Sequence, residues 1–239
     1  INVNGLVYEI ADAVMYTQYF INGISAFGPT AEDHQEASIA ASDANADGLV
    51  LSVADLVYLV RVIVGDALPY PKPVPGASVE LVSQGNNVEF NTDVTLGGAL
   101  LVFDAAGNVG EITVPGMDVE QSLNNGELRV LVWSQEGNAM PEDLVLNIPT
   151  DGNVVLTEAD VATYEGAVMD YTINNVPTEF DLAQNYPNPF NPTTTISMSL
   201  PVESDWTLKI YNVAGQLVDE FNGHSAAGTV NVEWDGTNA

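Results

Sequence analysis

The sequence predicts a multidomain, mainly β protein: a small α-helical module of paired loop-helix units, followed by two β-sandwich domains. Three observations carry this reading. Apolar residues recur at helical spacing up to about residue 68, and a proline-rich stretch, ALPYPKPVPG, follows. Beyond residue 77 the apolar residues alternate with period two, in short segments cut by glycine, proline and asparagine. At 239 residues the chain can form two or three domains, each with its own core. The predicted divisions are a helical module at 1–68, a linker at 69–77, a sandwich at 78–173 and a second sandwich at 177–239.

The helical module is organised around Asp43 to Asp55, DANADGLVLSVAD, which reads as a calcium loop opening a helix. Asp43, Asn45 and Asp47 alternate, so their oxygens can converge on one centre, and Gly48 allows the sharp turn that follows. Leu49 can offer its backbone carbonyl, and Asp55 can close the shell from the first helical turn. Hard cations such as calcium take six to eight oxygen ligands, which this spacing supplies without histidine or cysteine. The loop has a twin. At an offset of 43, NVNGLVYEIAD falls on NADGLVLSVAD, so that Asn2, Asn4, Leu6 and Asp12 stand where Asn45, Asp47, Leu49 and Asp55 stand. Ile10 to Phe20 reads as the first helix, with Ile10, Val14, Phe20 and Ile21 toward a core. Residues 31–41 read as a short helix with a polar face bearing His34, and acids in its first turn suit the macrodipole. Val53 to Val64 is apolar nearly all round. One side is expected to pack on the first helix and the other to face something outside the module.

These residues resemble the dockerin family, a duplicated calcium loop-helix module that docks onto a cohesin. The resemblance covers residues 1–68 and implies calcium at both loops, held by Asn2, Asn4, Leu6 and Asp12 and by Asp43, Asn45, Asp47, Leu49 and Asp55. It also implies a protein partner. Two departures stand out. Asp55 is thirteenth in its loop where the family's closing aspartate is twelfth, and the first copy carries Asn4 where the second carries Asp47. The second site is therefore expected to bind more tightly.

Pro69, Pro71, Pro73 and Pro75 alternate, as in an extended polyproline II spacer. Such a spacer is expected to disfavour the module folding back on its own chain. Beyond it, VELVSQ, VEFNTDV, GALLVFDAAG, GEITVPG, ELRVLVWSQEG, DLVLNIPTDG and AVMDYTI read as strands of a β-sandwich. GALLVFDAAGN followed by ELRVLVWSQEGNAMPEDLVLNIP is similar to a cohesin domain, the dockerin's receptor. Trp133 lies in an apolar strand and is expected to be buried.

The last segment opens PTEFDLAQNYPNPFNPTTTISMSLP and continues through WTLKIYNVAGQLVDEF to VEWDG. The prolines of NYPNPFNP fix φ and push each preceding residue into extended geometry. This pattern resembles the immunoglobulin-like C-terminal sorting domain of type IX secretion cargo and its flagellar hook-cap-type relatives. The resemblance implies export to the surface or medium of a bacterium. Trp206, Ile210, Tyr211 and Trp234 are expected in its core. The family usually continues one apolar strand past the WDG turn, so an unpaired sheet edge is expected here.

Four Lys and Arg against 33 Asp and Glu give a formal charge of −29, which repels nucleic acid and anionic membranes. With no cysteine there is neither a disulfide framework nor a thiol nucleophile, and no apolar run has the length of a membrane span. A sequence opening with Ile1 inside a loop is expected to be processed or excerpted. Two histidines in different domains, no nucleophile elbow and no phosphate loop argue against an enzyme. The reading is a secreted, calcium-stabilised, non-catalytic assembly protein that associates through dockerin–cohesin-like or strand-addition contacts, able to join head to tail into an extracellular filament. The alternatives are the non-catalytic C-terminal region of a larger secreted polysaccharide-degrading enzyme and a carbohydrate-binding protein.

Overall fold

The computed structural model describes residues 8–27, 32–69 and 77–237. Two compact units divide the chain, Ile1–Ile173 and Asn174–Ala239. The mainly β, two-sandwich expectation holds: thirteen strands are described, together with three α-helices confined to the first unit.

Helix α1 (Ile10–Asn22) buries Ala13, Tyr16, Thr17 and Phe20, one face at three- and four-residue spacing. Ile10 and Val14, expected in the core, are 59% and 50% exposed. The aromatic side won the interior because Tyr16 and Phe20 carry more apolar surface, and their rings stack 6.2 Å apart. A 3-10 turn (Gly23–Phe27) follows, then α2 (Glu32–Ala40), where the short helix was expected. Helix α3 (Val53–Val64) starts at Ser52, whose hydroxyl accepts the Asp55 N–H, and stops at Gly65 in the left-handed conformation. Nine successive residues, Val53 to Arg61, are buried. A helix buried all round must be covered on two sides, by α1 on one and by a sheet on the other.

That sheet belongs to a sandwich in the same unit. Its first layer has the order β6-β2-β1-β8: Val145–Asn147, Asn87–Asn91, Ala77–Gln84 and Met169–Val176. The second has the order β4-β5-β3-β7: Asp118–Asn124, Glu127–Trp133, Leu96–Ala105 and Val154–Thr163. In β5 the inward Leu128, Val130 and Val132 fill the core with Leu101 and Phe103 of β3 and Leu156 of β7. The outward Leu131 and Trp133 are also buried, with the helices. Strands β4 and β7 were not anticipated. The carboxylates Glu158 and Asp160 break the apolar alternation of β7, and β4 is largely polar. GEITVPG forms no strand, although Ile112 and Val114 still reach the core.

In the second unit, β13-β10-β9 (Gly228–Trp234, Thr194–Leu200, Asp181–Leu182) form one sheet and β11-β12 (Ser204–Tyr211, Leu217–Ser225) another. Met198, Leu208 and Val232 are its buried core, with Ile196, Trp206, Phe221 and Val230 packed against them. Tyr211, expected inside, is 56% exposed, because it closes β11 beside the turn.

Candidate functional site

The site is the outer face of the β4-β5-β3-β7 sheet, on which the helices lie. Its centre is the pair Gly97–Gly98 in β3. A Cβ at Gly97 would stand 2.6 Å from Val57 Cγ1, and one at Gly98 would stand 3.1 Å from both Val53 Cγ1 and Val57 Cγ2. Any larger residue here would hold α3 away, so the two glycines are what let helix and strand approach. Gly166, at φ +81°, does the same under Tyr58, whose Cβ is 2.9 Å from the position a side chain would take. Around this saddle Leu56, Val57, Leu59 and Val60 of α3 and Tyr16 and Phe20 of α1 share one apolar cluster with Leu131, Trp133 and Ala162.

Polar contacts frame that cluster. The Val53 N–H at the start of α3 donates to Asp160 Oδ2 at 2.8 Å, and Asn45 Nδ2 donates to the Gly166 carbonyl at 2.8 Å. A carboxylate opposite a helix N-terminus meets the positive end of the helix dipole. Both arginines of the chain cross the same interface. Arg61 donates to the Tyr164 carbonyl at 2.9 Å and to Glu165 at 3.0 Å, pairs with Asp66 at 2.7 Å, and lies 4.3 Å over the Tyr164 ring. Arg129 of β5 donates to the Phe20 carbonyl in the last turn of α1 at 3.1 Å. Burial alone would lower the Arg61 pKa, but its bonds to Asp66 and Glu165 outweigh that and raise it. The Arg61 bond in turn holds the Asp66 carboxyl below its ordinary value.

The candidate cation loop sits at the edge of this interface. Asp43, Asn45 and Asp47 are brought together: the Asp47 N–H donates to Asp43 Oδ1 at 3.0 Å and to Asn45 Oδ1 at 3.1 Å. Asn45 Nδ2 donates to Asp47 Oδ2 at 2.8 Å, and the Leu49 N–H to Asp47 Oδ1 at 2.7 Å. Gly48, at φ +90°, makes the turn. Asp55 is placed differently. It is fully buried, and its Oδ1 accepts the Ala44 and Asn45 N–H groups while Oδ2 accepts the Ser52 N–H and hydroxyl. Its carboxylate thus ties the front of the loop to the helix start. Burial outweighs those four bonds and pushes its pKa up to about 7. Burial likewise raises Asp160, with the charge of Asp47 adding to it and the Val53 N–H opposing it. Tyr16, which donates to the Ser42 carbonyl, is raised by burial and by the Asp55 charge.

The internal repeat is visible in the backbone. Tyr8 and Leu51, equivalent at the offset of 43, both adopt positive φ, +55° and +59°. Asp12 and Asp55 both take the third position of their helices, and Asp12 Oδ2 accepts the Glu9 N–H at 3.3 Å as Asp55 Oδ2 accepts that of Ser52. Asn2, Asn4 and Leu6 lie outside the described residues. Among the described residues no group of three or more His, Cys, Asp or Glu is placed to hold a metal ion. Asp43, Asn45 and Asp47 nonetheless gather oxygen donors, the chemistry that suits a hard cation.

Residues 184–235 match the family model of a secretion system C-terminal sorting domain. The chain is therefore a secreted or cell-surface protein, and among the described residues no helix is long and apolar enough to cross a membrane. No curated protein matches the chain. Solved structures similar to it include a non-cellulosomal cohesin from the archaeon Archaeoglobus fulgidus, at 9% identity and a TM-score of 0.29 over 43% of this chain and 90% of that one. A cohesin module of a family 33 glycoside hydrolase from Clostridium perfringens is 19% identical, with a TM-score of 0.28 over 44% and 99%. A type I cohesin–dockerin complex from Clostridium thermocellum is 10% identical, with a TM-score of 0.31 over 43% and 94%.

Proposed function

We propose that the chain is a non-catalytic assembly protein of a bacterial surface, in which a dockerin-like helical module is seated on the chain's own cohesin-like sandwich. The observation that supports this best is the close seat of α3 on Gly97–Gly98. In this reading plug and socket are already joined, and the joined unit is presented outside the cell by the C-terminal domain. The same contacts made from each copy to the next would give the head-to-tail form of the reading, in which plug and socket meet between chains and extend into an extracellular filament.

Calcium has a place in this scheme. Asp43, Asn45, Asp47 and the Leu49 carbonyl would hold it in the second loop, and Asn2, Asn4 and the Leu6 carbonyl in the first. Asp12 and Asp55 would close each loop onto its helix. Bound calcium would offset the repulsion between clustered carboxylates. Asn45 could give its oxygen to the ion and keep its Nδ2 on the Gly166 carbonyl, so that loop order and docking are coupled.

The test is thermal unfolding and sedimentation with calcium and with chelator. Calcium at a hundredfold over Kd should add about 2.7 kcal/mol to the first unit, and Asp47→Ala should remove most of that gain. A melting curve indifferent to chelator refutes the calcium part. Sedimentation as a monomer at high concentration supports docking within the chain, and calcium-dependent oligomers support the head-to-tail form.

A further inference from the structure

The three tryptophans of this chain differ in one respect. The Trp206 indole N–H donates to Ser225 Oγ at 3.0 Å, and that of Trp234 to the Thr237 carbonyl at 3.2 Å. Trp133 is 8% exposed, and its Nε1 reaches no acceptor among the described residues. A buried indole N–H without a partner is unusual, because desolvating the donor costs free energy that a hydrogen bond must offset. Trp133 also lines a cavity of about 10 Å³ between α3 and the sandwich. Val57 and Val60 of α3 wall one side and Gly97 another, while Ser134 and Asn138 bring polar groups. One water molecule requires a cavity on the order of 10–15 Å³ and two to four polar partners.

We propose that this cavity is a specific hydration site, in which a single ordered water accepts the Trp133 Nε1–H and is held by the polar groups of Ser134 and Asn138. The inference rests on the seat of α3 on the sheet, since the cavity exists only between them. The water would be a wet point beside the apolar cluster that the helices share with the sheet. A larger, open groove of about 720 Å³ shares Ser134 and Asn138 with the cavity and runs past Val64, Asp118 and Glu136. Trp133 would then report docking directly: its indole proton sees one trapped water when α3 is seated and bulk solvent when α3 is not.

The experiment is heteronuclear NMR of the full chain labelled with nitrogen-15, reading the three indole N–H resonances, with Trp133→Phe to assign the third. The expected result for Trp133 is a hydrogen-bonded proton shift and a cross-relaxation peak to a long-lived water, with slow solvent exchange. Trp206 and Trp234 serve as indoles bonded to protein acceptors. Val60→Ile should fill the cavity, abolish the water peak and move the Trp133 resonance toward that of an unbonded indole. A wild-type Trp133 indole that is protected from exchange yet shows no water peak overturns the hydration site and leaves the docking intact. An indole that exchanges as fast as an exposed one overturns both, because α3 is then not seated over it.

Discussion

Leu131→Ala separates a sandwich covered by its helices from a bare one. Leu131 lies on the outward face of β5, opposite Leu100 of β3, and is fully buried only because α1 and α3 cover that face. Burying a leucine contributes about 1.5–3 kcal/mol, and truncation to alanine in a packed site costs about 2–5 kcal/mol once the cavity is included. On an open sheet face the same change would stay within about 0.5 kcal/mol. Leu101→Ala is the internal standard, because Leu101 is equally buried but points into the sandwich core, where the helices make no difference. Urea unfolding of the first unit, followed by circular dichroism, should show both variants losing comparable stability. At a slope of about 3 kcal/mol per molar, the midpoint should drop by roughly 1 M in each. If Leu101→Ala falls by that amount and Leu131→Ala stays near wild type, the helices do not cover the sheet in solution and the argument fails.

Three further outcomes are expected. Gly97→Ala places a methyl group 2.6 Å from Val57 Cγ1 and 2.8 Å from the Thr163 carbonyl, so it should cost about 1–3 kcal/mol; Gly110→Ala, with its nearest atom at 3.3 Å, should be mild, and equal melting temperatures would count against the close seat. Arg61→Met should cost about 1–3 kcal/mol, with Lys a poor rescue. This is less than for a fully buried pair because Asp66 and Glu165 are 46% and 63% exposed and can rehydrate; a neutral result would show that Arg61 does not bridge. For pH, Asp55 titrates at about 7 in the folded state and near 3.8 unfolded, and Asp160 is shifted in the same direction. The folded state therefore holds more protons between those values, and stability falls as pH rises from about 4 through about 7. Asp55 alone contributes on the order of a few kcal/mol to that loss. Denaturant midpoints of the calcium-free chain should accordingly be higher at pH 5 than at pH 8, with a flatter profile in Asp55→Asn. A wild-type profile parallel to that of Asp55→Asn would remove Asp55 from the explanation.

The positions of α1, α3, β1, β2, β3 and β5 were legible because their apolar residues are dense and bounded by glycine, proline and asparagine breaks, and that of α2 because acids stand in its first turn. The orientation of α1 was not. Phe20 was expected inside, but period alone could not rank Ile10 and Val14 against Tyr16, and ring area decided it. Strand β7 escaped notice because Asp160 serves the helix it faces: a carboxylate that caps α3 from outside looks like loop chemistry in one dimension. The docking itself left marks in the sequence. LGGALL puts two glycines in a buried strand, LRVLVW is apolar on both faces, and α3 is apolar all round. Each signals a surface that something covers. The proline spacer was expected to keep the module off its own sandwich, and in the structure α3 lies on that sandwich all the same. In the cation loop, Asp43, Asn45 and Asp47 are linked by hydrogen bonds within the loop. The thirteenth-position Asp55 instead took the capping role that Ser52, three residues before it, makes available.

The most direct test of docking within the chain is an isotope-filtered NOE experiment on an equimolar mixture of carbon-13-labelled and unlabelled full-length protein. Val57 Cγ2 lies against Gly98, so a uniformly labelled sample should show an NOE between the Val57 methyl and the Gly98 Hα protons. In the mixed sample the filtered spectrum, which retains only contacts between chains, should lack that peak. A filtered Val57–Gly98 peak would place the module on another copy's sheet, and its absence from both spectra would mean that α3 does not rest on the sandwich.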